Sequence, residues 1–133
     1  MTRNTATQLD VPQARNGDGG PVNLSALPRV VNLELYRGDD FGMRLVLADD
    51  SGDPADLTGA VVHAQVRTSH ESDSVAGEFV TGIEDNVISL RLAAAVSAQL
   101  PADTVWDVEL EQDEWVTTLV AGGVKLHPDV TRV

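Results

Sequence analysis

The chain has no cysteine, two Trp, two Phe and one Tyr, and nine Lys and Arg together among 133 residues. The missing thiols exclude disulfide scaffolds, thiolate metal sites and cysteine nucleophiles, so stability must come from packing, hydrogen bonding or a partner. No apolar run reaches the roughly 18 residues that a membrane-spanning helix needs. The first residues, Met1-Thr2-Arg3-Asn4-Thr5, lack the apolar stretch of a secretory signal, so neither a membrane association nor an export leader is expected. Basic residues are outnumbered by 21 acids, which gives a formal charge of -12. Nucleic-acid binding is built on Lys and Arg displacing counterions from phosphates, and this balance opposes it. The few aromatics also leave little material for a sugar-binding platform.

What is present suits one domain with one modest core. Residues 1 to 28 are rich in Thr, Asn, Gln, Asp and Gly, with Asn16-Gly17-Asp18-Gly19-Gly20-Pro21 at the centre. Such a segment buries too little apolar area to offset its ordering entropy, and it reads as an extended, flexible N-terminal arm ahead of a body over residues 29 to 133. Arg3 and Arg15 balance Asp10 and Asp18, so the arm is neutral and the whole charge lies on the body. The body alternates with period two. Val31, Leu33 and Leu35, then Phe41, Met43, Leu45 and Leu47, define two strands expected to neighbour each other. Further strands are predicted near Ala60 to Arg67, Val75 to Thr81, Val87 to Leu92, around Trp106, Val108 and Leu110, from Trp115 to Val120, and through Val124 and Leu126. The Ala-rich stretch Ala93 to Leu100, closed by Pro101, predicts a two-turn helix plugging one end. Gly122-Gly123 reads as a bulge. Both Trp106 and Trp115 fall on apolar strand faces and are expected in the core.

Candidate chemistry is sparse. Asp107, Glu109 and Glu111 alternate on one strand face, with neighbours about 7 Å apart. Two carboxylates so placed could hydrolyse a glycoside or hold a hard cation, but catalysis needs one of them buried, and this face reads as solvated. It reads first as an exposed face that discourages edge-to-edge pairing, and second as a contact for a basic patch on a partner. Asp49-Asp50-Ser51-Gly52-Asp53-Pro54 resembles a calcium loop only superficially, because Pro54 and Ala60 stand where an EF-hand needs Gly and an acid. His63, His70 and His127 have no ligand spacing, so no metal and no cofactor is expected. Arg37-Gly38-Asp39 fills a turn. There is no Gly-x-Ser-x-Gly elbow and no phosphate-cradling loop, and no enzyme is expected.

The order of signals carries a resemblance. Leu33 to Phe41, Asp56-Leu57-Thr58-Gly59, Val87 to Leu92 running into Leu100-Pro101, Trp106-Asp107-Val108-Glu109-Leu110, Gly122-Gly123-Val124-Lys125-Leu126 and Val130-Thr131-Arg132 follow one another as in a family of small phage virion proteins. Over about 100 residues the chain resembles the β-sandwich domain of minor tail, tail-fibre and upper-baseplate proteins of tailed phages, particularly those infecting actinobacteria. The resemblance implies an all-β, antiparallel Ig-like β-sandwich of about seven or eight strands, acting as a non-enzymatic building block of the virion. It would be assembled in the host cytoplasm, bind other tail or capsid proteins, and repeat as a homo-oligomer on the particle. The arm has no counterpart in that pattern. Extended neutral arms are equally typical of capsid decoration proteins, the alternative reading. In either case Leu9, Val11, Val22, Leu24 and Leu27 would anchor the arm on a neighbour, with Asp107, Glu109 and Glu111 as a second contact.

Overall fold

The structure is a computed structural model that describes residues 28–49 and 51–128 together with the strand backbone of 5–10 and 20–22. Its strands, in chain order, are β1 (Thr5–Asp10), β2 (Gly20–Val22), β3 (Arg29–Val30), β4 (Leu33–Tyr36), β5 (Phe41–Asp49), β6 (Val61–Arg67), β7 (Gly77–Glu78), β8 (Val80–Glu84), β9 (Val87–Leu92), β10 (Asp103–Gln112) and β11 (Trp115–His127). One helical turn, α1 (Ala94–Ser97), precedes β10.

Two sheets face each other. The first has the order β2-β1-β5-β9-β8, and the second β3-β11-β10-β6-β7, with β4 also beside β11. The alternation in the sequence explains the layering. Leu33 and Leu35, Phe41, Met43, Leu45 and Leu47, Val62, Ala64 and Val66, Ile88, Leu90 and Leu92, and Trp106, Val108 and Leu110 all turn inward and are buried in one core. The orders β1-β5-β9-β8 and β11-β10-β6 reproduce the A-B-E-D and G-F-C sheets of the immunoglobulin sandwich. The chain is an Ig-like β-sandwich. It departs from the antibody pattern in having no inter-sheet disulfide and in carrying its buried Trp on β10, the F position. In place of the disulfide, Phe79 lies between Phe41 of one sheet and Trp106 of the other, with ring centroids 6.4 Å and 5.5 Å away.

Several expectations are corrected. The runs of β4 and β5 do not pair: β4 runs parallel to β11 while β5 lies in the opposite sheet. Period-two patterning fixes which face is buried and leaves the partner open. The predicted Val75 to Thr81 strand is two strands in different sheets, β7 and β8, divided at buried Phe79. The helix is a single turn, because i to i+3 bonds at Gln99 and Leu100 tighten the chain ahead of Pro101. The irregularity of the β10–β11 ladder falls between Val108 and Glu109, opposite Leu119, and Gly122-Gly123 is regular strand. A Cβ on Gly122 would collide with the Val31 carbonyl, since the chain between β3 and β4 passes directly over that site.

Within the segment read as an arm, β1 pairs with β5 along its whole length and with β2 on its other side. Those two pieces therefore extend the first sheet of the same chain.

Candidate functional site

The predicted acidic row is assembled by β10, with Asp107 opposite Gln65 and Ala121, Glu109 opposite His63 and Thr118, and Glu111 opposite Val61 and Val116. All three carboxylates lie on the outer face of the second sheet, half-buried at Asp107 and Glu109 and exposed at Glu111. Glu111 Oε1 is 3.8 Å from His63 Nε2, and both side chains are about half exposed. A pair that open to solvent contributes little energy. Of the predicted arm anchors, Leu9 stands opposite Leu45 and Val22 opposite Thr7, while Val11, Leu24 and Leu27 lie outside the described residues.

Sequence reasoning missed a second feature at the end of the sandwich where the acidic row finishes. Three connections meet there: β5 to β6, the β8–β9 turn at Asp85, and the β10–β11 turn at Asp113-Glu114. Buried Gln112 ties two of them together, donating from Nε2 to the carbonyls of Asp56 (2.9 Å) and Thr58 (3.1 Å). Asp53, Asp56, Asp85, Glu111, Asp113 and Glu114 are all exposed at this end. Among the described residues, no Lys or Arg lies in these connections or at the strand ends that meet them. The Asp49 and Asp56 carboxylates also organise the first connection, accepting from the backbone of Ser51, Asp53 and Thr58.

Amid these acids, Trp115 is 66% exposed, Val116 58% and Val61 49%. The expectation of a buried Trp115 is thereby corrected. Trp115 pairs with Gln112, the last residue of β10, and so projects past the end of the apolar layer. Val61 and Val116 flank Glu111 on the outer face. The sequence did hold a signal: Val61-Val62 and Trp115-Val116 are adjacent large apolar pairs, and a strand cannot turn both members inward. A shallow hollow of about 430 Å³ adjoins the same end, lined by Pro54 to Thr58, Ile83, Asp85 and Asn86. Asn86 donates its amide to the Leu47 carbonyl at 2.8 Å. Among the described residues no group of three or more His, Asp or Glu is placed to hold a metal, and no helix is long and apolar enough to cross a membrane.

Arg37-Gly38-Asp39 sits at the opposite end and is held by the residues around α1. Arg37 Nε donates to the Leu100 carbonyl (3.1 Å), Gly38 N–H to Ser97 Oγ (3.0 Å), and Ser97 Oγ to the Asp39 carbonyl (2.8 Å). The tripeptide is a structural clamp.

No protein-family model matches the sequence, and no curated protein matches it. Among solved structures, the chain is similar to the complex of the titin M10 domain with an obscurin-like 1 Ig domain, at 12% identity and a TM-score of 0.46, covering 97% of this chain and 100% of that one. It is similar also to the M1 domain from titin, at 12% identity and a TM-score of 0.39, covering 79% of this chain and 95% of that one. The Ig-like assignment rests on this chain's own strand order.

Proposed function

We propose that this chain is a structural subunit of a tailed-phage particle, of the minor tail or baseplate type, that works by docking to other virion proteins and not by catalysis. The observation that carries the docking part is the loop end: Trp115, Val116 and Val61 stand exposed among Asp53, Asp56, Asp85, Glu111, Asp113 and Glu114, with no Lys or Arg among the described residues of these connections. An amphipathic aromatic at the centre of a like-charged rim is the composition of an interface anchor. The rim adds steering toward a basic surface and repels other acidic bodies. The virion part is supported by the ordered motifs from Leu33 to Arg132. The open, solvated sheet face that carries Asp107, Glu109 and Glu111 supports docking over catalysis, which needs a buried carboxyl.

Immunogold labelling of purified particles of the encoding phage, combined with a Trp115→Ala variant, tests this reading. Label at the tail or baseplate, with a folded variant that no longer incorporates, is the expected result. Label on the head would favour the decoration-protein alternative. Absence from particles overturns the virion reading, and normal incorporation of the variant overturns the loop end as the anchor.

A further inference from the structure

We propose that the edge of β5 covered by β1 is a strand-exchange site, whose occupant in the associated state is the Thr5–Val22 segment of a second copy of this chain. The inference concerns self-association and does not depend on the virion reading.

The pairing itself gives the first reason. All six residues of β1 lie in register on β5, from Thr5 opposite Asp49 to Asp10 opposite Arg44. The pairing is a backbone ladder, which any copy of the chain offers in the same form. Among the described strands β1 neighbours β5 and β2 alone, so this ladder attaches the described part of the segment to the body. Exchanging it between copies conserves those bonds.

The edge must also be filled. Without β1, the six residues Arg44 to Asp49 of β5 would lose their ladder partner beside a buried row of Phe41, Met43, Leu45 and Leu47, an arrangement that recruits another strand. The register sets Asp10 opposite Arg44.

Charge favours this segment as the bridge. The body carries the whole -12 and opposes contact between two bodies, whereas residues 1 to 28 are neutral. A neutral strand is the part of one copy that can lie on another copy's sheet without that repulsion.

The connector permits exchange. Residues 23 to 28 separate β2 from β3, which lies in the opposite sheet. Six residues can span up to about 20 Å, twice the roughly 10 Å between packed sheets, a length compatible with reaching a neighbour's sheet. Exchange of an identical element is a low-cost route to association. Many copies held close together would raise the effective concentration further.

The absence of cysteine makes the test clean. Gln8 stands opposite Val46. Directly opposed Cα atoms lie about 4.5–5.5 Å apart, within disulfide reach. Full-length Gln8→Cys and Val46→Cys variants are purified separately, checked for native circular dichroism, mixed at high concentration and oxidised with glutathione. The expected result is a covalent species of twice the chain mass in the mixture, with the disulfide between the two substituted positions identified by peptide mass spectrometry. A Gln8→Cys/Val46→Cys double variant should then yield both closed monomers and linked multimers. A mixture that stays monomeric while the double variant closes only within one chain overturns the proposal. Failure of every combination to cross-link overturns it as well. A second pair, Asp10→Cys with Arg44→Cys, gives the same reading if Val46→Cys does not fold.

Discussion

The Val31 carbonyl shows how much one atom can fix. It accepts from the indole N–H of Trp106 at 2.9 Å, lies over Gly122, and belongs to the residue whose own N–H donates to the Ala121 carbonyl at 3.0 Å. Asn32 completes the junction, accepting from the Gly123 N–H through Oδ1 at 2.9 Å. This junction carries the chain from β3 to β4 along one edge of β11. Gly122→Ala should therefore lower stability by about 1–3 kcal/mol through overpacking, measured as a lower denaturant midpoint. Trp106→Phe keeps most of the ring packing but leaves the buried carbonyl short of a donor, and should cost about 1–3 kcal/mol on the same scale. Burial of Trp106 was legible from its alternating neighbours. The role of Gly122 was not, because a close approach between residues about 90 positions apart leaves no local pattern.

At the scale of elements, the α1 turn and the Arg37–Asp40 turn form one unit. Ser97 is fully buried and bonds to both Gly38 and Asp39, while Asp40 Oδ1 accepts from the Ala94 N–H at 2.8 Å and so caps a turn that has no cap of its own. Ser97→Ala removes the buried hydroxyl that links α1 to the exposed Gly38–Asp39 backbone and should lower stability by about 0.5–1.5 kcal/mol. The opposite hairpin holds an improvable feature. Asp113 and Glu114 both have positive φ, 52° and 68°. A two-residue turn of this kind favours Gly at its second position. Glu114→Gly should raise the melting temperature, by about 0.4–1 kcal/mol in stability terms. Element existence was legible from period two and from Gly and Pro punctuation. Pairing was not: β4 and β5 are adjacent in sequence and belong to different sheets, because the turn between them crosses the sandwich instead of folding back.

The whole molecule is polarised. Its loop end gathers acids around Trp115 with no Lys or Arg among the described residues there, while at the end of the Arg37–Asp40 turn and α1 the bases Arg37, Arg67, Arg91 and Lys125 offset Asp39, Asp40 and Asp103. Trp115→Ala should leave the melting temperature within experimental error, since an exposed side chain far from the core contributes within about 0.5 kcal/mol. Calorimetric unfolding checks this, and a large drop would place Trp115 in the folding core. The total charge was legible from composition. Its concentration at one end was not, because the acids come from three connections that only the Greek-key path brings together.

That separation gives the molecule a permanent electrical axis along its strands. Near a positively charged wall it would rotate before touching, arriving loops first and indole foremost. Neighbours bound in this way would all point the same way, so the first contact already imposes an orientation on the array.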